Sequence, residues 1–116
     1  MILLFLHQWQ RFWKKKGFSV DTAETGKQAI EKLKTKQYDA VIVDLKLPDM
    51  DGIDVLSRAK SSNAVKIMLT GFPSLVSSVQ ATEEGVDCYL SKPVRPEELV
   101  ALVQSKLRSK HSPITH

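Results

Sequence analysis

Hydrophobic residues along this chain form short continuous runs that alternate with longer stretches in which they recur every three or four residues. The short runs are typical of buried strands, and the longer periodic stretches are typical of amphipathic helices. Gly and Pro separate many of these segments, because both residues interrupt regular structure. The pattern predicts strands over 18–23, 38–44, 65–70 and 86–91, and helices over 25–36, 53–59, 73–84 and 96–109.

The first 16 residues allow two interpretations. Apolar residues from Ile2 to Trp13 fall at helical spacing, and Gly17 stands where a helix would end, which predicts a helix before the first strand. The alternative makes residues 1–6 a strand and shortens the following helix to about ten residues. We favour the first interpretation, so the predicted order begins with a helix.

Helices of roughly ten residues between short apolar strands predict an α/β fold with a doubly wound parallel sheet. Right-handed crossovers place the carboxyl ends of parallel strands at one edge of such a sheet. Asp44, Thr70 and the Ser91-Lys92 pair each end a predicted strand. We therefore expect a carboxylate, a hydroxyl and an ammonium group to meet at that edge.

These three groups predict a particular chemistry. A carboxylate can accept a phosphoryl group as an acyl phosphate. A neighbouring hydroxyl and ammonium can then donate hydrogen bonds to the phosphoryl oxygens and neutralise their charge. The sequence thus predicts a phosphoryl-accepting site with Asp44 as the acceptor.

Length, charge and cysteine content limit the alternatives. A chain of 116 residues with 42% hydrophobic content suits one domain, which we place at 1–109 with 110–116 as a tail or linker stub. A scattered net charge of +4 does not argue for direct nucleic-acid binding. The single Cys88 excludes an internal disulfide, and the apolar run Ile2 to Leu6 is too short to cross a membrane. We expect a cytoplasmic protein.

Residues 41 to 52, which read Val-Ile-Val-Asp-Leu-Lys-Leu-Pro-Asp-Met-Asp-Gly, resemble the phosphorylation-site strand and loop of response-regulator receiver domains. Met68-Leu69-Thr70-Gly71 and Ser91-Lys92-Pro93 resemble two later motifs of the same family. The resemblance implies a flavodoxin-like (CheY-like) fold and a signalling role rather than an enzymatic one.

The resemblance also implies a role for each matching residue. Asp44 corresponds to the phosphoacceptor, Thr70 to the hydroxyl residue that follows the phosphoryl group, and Lys92 to the family lysine. Tyr89 corresponds to the aromatic switch, and the Lys92–Pro93 bond is expected to be cis. The metal of the family is Mg²⁺, for which Asp44 and the backbone carbonyl of Lys46 match two of the ligands.

One expected feature has no match in this sequence. Receiver domains begin with a central strand that ends in two adjacent acidic residues, which hold Mg²⁺. On our favoured interpretation both the strand and the acidic pair are missing, unless a longer natural protein carries them upstream of Met1. On the alternative interpretation, His7 and Gln8 stand in place of the acids. Either interpretation predicts weakened metal binding.

A missing central strand would leave unpaired backbone groups on its two neighbours, and such edges bind other chains. We therefore expect a homodimer through the N-terminal helix and the exposed sheet. The aromatic residues Phe5, Trp9, Phe12 and Trp13 would be exposed there and could form the contact surface.

Two functions follow from these observations. The first is a phosphoacceptor in two-component signalling, in which a histidine kinase or phosphotransfer protein donates a phosphoryl group to Asp44. The second is a degenerate receiver that binds partners or a second copy without phosphorylation.

Two nearby acids, Asp49 and Asp51, are expected to shape the turn before Gly52 and to cap the helix that follows.

Overall fold

The computed structural model describes residues 1–5, 7–60 and 62–110, in which strands and helices alternate and a strand comes first. The strands are β1 (Ile2–Leu4), β2 (Val20–Thr22), β3 (Ala40–Asp44), β4 (Val65–Thr70) and β5 (Cys88–Ser91). The helices are α1 (Gln10–Lys15), α2 (Gly26–Thr35), α3 (Gly52–Ala59), α4 (Leu75–Glu83) and α5 (Pro96–Lys110). A 3-10 turn, His7–Trp9, precedes α1.

The strands form one parallel sheet in the order β2-β1-β3-β4-β5. Helices connect successive strands, as parallel pairing requires. This is the flavodoxin-like, doubly wound α/β class that the sequence predicts, and the prediction of fold class is confirmed. The carboxyl ends of β3, β4 and β5 lie at the same edge of the sheet.

The favoured interpretation of the first 16 residues was wrong. Ile2 pairs with Val20 of β2 on one side and with Ala40 of β3 on the other, so β1 is the central strand. The backbone N–H of Phe5 extends this pairing by donating to the carbonyl of Ile42 at 3.2 Å. A strand that is buried on both faces is continuously apolar and has no period of two, which is why its residues could be added to the helical pattern of α1.

The predicted exposure of the N-terminal aromatic residues was also wrong. Trp13 is fully buried, and Phe5, Trp9 and Phe12 are partly buried against the two cores. Because β1 fills the centre of the sheet, the gap that motivated a dimer through this region does not exist.

Two hydrophobic cores cover the two faces of the sheet. Successive β1 residues enter opposite cores: Ile2 and Leu4 belong to the one that α1 and α5 cover, and Leu3 belongs to the one on the side of α2 and α3. This alternation follows from the two-residue period of a strand. The residues of β1 therefore connect both layers of helices to the sheet.

Local signals set most other boundaries. The side chain of Thr25 caps α2 by accepting from the N–H of Gln28 at 3.1 Å, as predicted. Gly17 follows α1 with a φ of 94°, which glycine adopts without strain. Helix α4 begins at Leu75 rather than at Pro73, because Ser74 is its cap. Helix α5 ends at Lys110, so the predicted boundary at 109 falls in its last turn, and 111–116 lie outside the described residues.

Candidate functional site

Asp44 is the last residue of β3, and its side chain is 23% exposed at the carboxyl edge of the sheet. The neighbouring strand β4 holds it in place, since Asp44 pairs in register with Leu69 and the N–H of Leu45 donates to the Leu69 carbonyl at 2.8 Å. The carboxylate therefore stands on a rigid strand end with one side open to solvent. Such a position suits a side chain that reacts with a chemical group carried by another molecule.

Lys92 follows β5, and its Nζ donates a hydrogen bond to Oδ2 of Asp44. The two residues are 48 positions apart in sequence. A backbone contact holds the lysine in place, because its N–H donates to the Thr70 carbonyl at 2.8 Å. Its peptide bond to Pro93 is cis. The predicted carboxylate and ammonium are thus in direct contact.

Thr70 is the last residue of β4, the strand that lies between β3 and β5 in the sheet. It is buried, and its Oγ1 accepts a hydrogen bond from the N–H of Phe72 at 3.0 Å. The hydroxyl thus makes a contact within its own loop. The structure brings Asp44, Thr70 and Lys92 to one edge, as the topology predicts, with the first and last in contact.

The loop after β3 folds tightly against the acceptor. The N–H of Gly52 donates to the carbonyl of Leu45 at 2.6 Å, and Lys46 and Asp51 form an antiparallel bridge. A Cβ atom on Gly52 would lie 2.2 Å from the backbone oxygen of Asp44. Glycine at this position therefore permits the close approach of α3 to the strand end.

The two remaining acids of this loop act only in part as predicted. Asp49 caps α2 instead of the helix that follows it, because its two carboxylate oxygens accept from the N–H groups of Gly26 at 2.8 Å and Lys27 at 3.0 Å. These backbone hydrogen bonds, above all that from Gly26, hold the pKa of the Asp49 carboxyl below its usual range. Asp51 occupies the N-cap position of α3 without a side-chain capping bond.

The Lys46 ammonium contacts an aromatic ring, whereas the ion pair of Asp44 is with Lys92. Nζ of Lys46 lies 4.9 Å from the centroid of the Phe72 ring, a cation–π contact on the exposed side of the site. Its backbone participates in the bridge to Asp51. The cation next to the acceptor is therefore Lys92.

Tyr89 contacts the beginning of α4. Its hydroxyl is hydrogen-bonded to Oγ of Ser77 and accepts from the N–H of Ser74 at 3.3 Å. Ser77 is buried, and its Oγ lies 2.9 Å from Oγ of Ser74. Sequence reasoning singled out the tyrosine but missed these two serines, because a Ser pair near a helix start is explained by capping alone.

The described residues do not form a magnesium site. Among residues 1–5, 7–60 and 62–110, no three His, Cys, Asp or Glu side chains lie close enough together to hold a metal ion. Residues 1–20 contain neither Asp nor Glu, and Asp44 is in contact with Lys92. Mg²⁺ usually keeps several waters and is held by one or two carboxylates, but Asp44 is already paired with the Lys92 ammonium, so the described residues fit this ion poorly.

A model of the family described as "Response regulator receiver domain" matches residues 3–104 of this chain. The chain belongs to the response-regulator receiver domain family. Receivers of this family are parts of two-component signalling proteins and typically bind Mg²⁺. The matched range begins within β1 and ends within α5, so it includes the central strand as well as the site.

Curated relatives support the same assignment. The chain is 34% identical over 97 residues to the cell cycle transcriptional regulator CtrA of Caulobacter vibrioides, which covers 82% of this chain and 42% of that protein. It is 40% identical over 93 residues to the DNA-binding response regulator MtrA of Mycolicibacterium paratuberculosis, which covers 79% and 41%. The receiver thus spans about two fifths of the length of these relatives. Because one of them is named as DNA-binding, the expectation of no direct contact with nucleic acid gains no support.

Solved structures agree with the fold. A two-component response regulator from Clostridium difficile is 28% identical, with a TM-score of 0.85 and coverage of 96% of both chains. Within the described part of the receiver, no helix is long and apolar enough to cross a membrane.

Proposed function

We propose that this receiver accepts a phosphoryl group on Asp44 from the phosphohistidine of a histidine kinase or phosphotransfer protein. An Asp44 carboxylate oxygen attacks the phosphorus, the N–P bond breaks, and the leaving imidazole nitrogen takes up a proton from water. The product is an aspartyl phosphate. The observation that carries this proposal is the contact between Lys92 Nζ and Asp44 Oδ2 at the open edge of the sheet.

Lys92 and Thr70 have separate roles in the proposal. The ammonium of Lys92 moves from the carboxylate to a phosphoryl oxygen, where it balances the added negative charge. The Thr70 hydroxyl releases the Phe72 N–H and donates to a second phosphoryl oxygen. Tyr89 then leaves its hydrogen bonds with Ser74 and Ser77, which changes the surface around α4 and β5.

Borohydride trapping tests the assignment of the acceptor. The protein is incubated with phosphoramidate, an N–P donor, and borohydride then reduces an aspartyl phosphate to homoserine. Peptide mass spectrometry is expected to find homoserine at position 44 and not at position 51, the matched carboxylate of the same loop. Homoserine at another position, or none at 44 while the protein carries phosphate, would overturn the proposal.

A second function is favoured by the absence of acids from residues 1–20. In this alternative the receiver is degenerate: Asp44 stays paired with Lys92, and the protein binds partners or a second copy without phosphorylation. An amide NMR titration with Mg²⁺ distinguishes the two. A saturable shift at Asp44 and Lys46 at millimolar Mg²⁺ would favour the phosphoacceptor, whereas its absence together with failed phosphorylation would favour the degenerate receiver.

A further inference from the structure

We infer that an open pocket beside Lys92 binds a small organic anion with a flat apolar body. The pocket has a volume of about 400 Å³, within the range of small-molecule sites. Three separate segments of the chain form it, at the carboxyl edge of the sheet. Its lining residues are Gln8, Trp9, Leu69, Lys92, Pro93 and Val94.

The walls of the pocket are mainly apolar. Leu69 forms part of it from the buried strand β4, and Pro93 and Val94 come from the segment that leads to α5. The Trp9 indole is partly buried and packs against the adjacent core, so the structure supports its position. A flat hydrocarbon group can lie against such surfaces and remove them from water.

The positive charge of Lys92 favours an anionic group at the polar end of the ligand. Among the described residues that line the pocket, Lys92 is the one that carries a charge, and it is 37% exposed. Residues 1–20, which include the lining residues Gln8 and Trp9, contain no Asp or Glu that would oppose an anion. An ammonium group has three N–H donors, so Lys92 can contact Asp44 and a ligand carboxylate together.

The pocket arises from the same feature that makes this receiver unusual. A 3-10 turn follows the short β1 and contributes Gln8 and Trp9 to the pocket, and Gln8 is one of the two residues that stand where the family resemblance implies acids. An amide and an indole do not repel an anion as two carboxylates would. The loss of the two acids therefore makes this edge better suited to an anion than the acidic edge that the resemblance implies.

This inference does not depend on phosphoryl transfer. Asp44 does not line the pocket, and ligand binding is measured without a phosphodonor. Failure to bind a ligand would leave the phosphoacceptor proposal intact, and failure to phosphorylate would leave the pocket intact.

The test uses 2-naphthoate as the probe and two matched compounds as controls. The uncharged 2-naphthalenemethanol keeps the flat ring without the carboxylate, and inorganic phosphate keeps an anionic charge without the ring. Calorimetry is expected to show saturable binding of the naphthoate, with binding of both controls at least about tenfold weaker, or about 1.4 kcal/mol. Binding of either control as tight as the naphthoate would overturn the inference of an organic anion.

NMR locates the site without any substitution. The chain has two tryptophans, and Trp13 is fully buried. Addition of 2-naphthoate is expected to shift the indole N–H signal of Trp9 and to leave that of Trp13 nearly unchanged. Binding that leaves the Trp9 signal unmoved would place the ligand elsewhere and contradict the inference.

Charge variants complete the test. Lys92→Gln is expected to weaken 2-naphthoate binding about tenfold, or about 1.4 kcal/mol. Lys34→Gln, which removes the same charge from an exposed position on α2, is expected to change it less than about twofold. Equal effects of the two substitutions, or no binding at all by folded wild-type protein at millimolar probe, would overturn the proposal.

Discussion

Gly52 shows how a single residue controls the geometry of the site. Its N–H donates to the Leu45 carbonyl, and an added Cβ would meet the Asp44 backbone oxygen at 2.2 Å. That contact involves backbone, so a flexible side chain cannot relieve it. Gly52 therefore marks the turn, and it is also needed because only glycine fits against the end of the strand that carries Asp44.

We expect Gly52→Ala to lower the free energy of unfolding by about 1–3 kcal/mol, because the backbone must shift to accept the methyl group. Urea unfolding measures the change. Gly71→Ala is the matched control, since a Cβ there would meet nothing within 4 Å. Equal stability of the two variants would contradict the role given to Gly52.

Asp21 provides a pH-dependent contribution to stability. Its Oδ2 accepts hydrogen bonds from the Tyr38 hydroxyl at 2.7 Å and from Nζ of Lys36 at 3.0 Å. These bonds, first that from Tyr38, lower the pKa of the Asp21 carboxyl from its ordinary value of 3.8, while burial raises the pKa of Tyr38. A lowered folded-state pKa stabilises the fold above the unfolded-state pKa, and this stability is lost as the pH falls through the folded-state pKa.

We therefore expect Asp21→Asn to be less stable than wild type by about 1 kcal/mol at neutral pH. The difference should shrink as the pH falls below 3.8. Urea unfolding across the acid range measures it, and Asp54→Asn, which removes an exposed carboxylate from α3, is the control for net charge. A difference that stays constant at every pH at which both proteins fold would contradict this explanation.

The elements differ in how well the sequence predicts them. Strand β4 was predicted with its observed bounds, because a fully buried apolar run ends at Thr70 before a glycine. Strand β1 was missed by the favoured interpretation, since three buried residues have no periodicity of their own and the aromatic residues of the next helix extend a helical spacing over them. The capping of α2 by Asp49 was missed because 23 residues separate Asp49 from Gly26.

Strand β1 should carry a large share of the stability. We expect Leu3→Ala to reduce the free energy of unfolding by about 2–5 kcal/mol, because Leu3 is fully buried in the core of α2 and α3. Leu75→Ala removes the same atoms from a side chain that is 81% exposed and should change stability by less than about 0.5 kcal/mol. A small effect of Leu3→Ala in chemical denaturation would contradict the central position of β1.

At the scale of the whole molecule, the fold brings together site residues that lie far apart in the sequence. Asp44 and Lys92 are 48 residues apart and meet because β3, β4 and β5 are adjacent and parallel. The topology made this meeting predictable from the sequence. The direct ion pair, the position of Lys46 over Phe72 and the pocket beside Trp9 were not predictable, because each depends on side-chain packing across segments.

Lys92 tests whether the assembled site functions as a unit. We expect Lys92→Ala to leave the fold intact, since its side chain is partly exposed, and to slow phosphorylation of Asp44 at least about tenfold through loss of the neighbouring cation. Circular dichroism checks the fold, and the phosphorylation time course gives the rate. An unchanged rate in the folded variant would separate Lys92 from the reaction.

The most direct measurement is intact-mass spectrometry after incubation with phosphoramidate, in Mg²⁺ and in a chelator, with wild type and Asp44→Ala in parallel. The account predicts one phosphoryl adduct on wild type and none on Asp44→Ala. An adduct of equal size on both proteins, or none on folded wild type in either solution, would contradict the proposal that Asp44 is a phosphoacceptor.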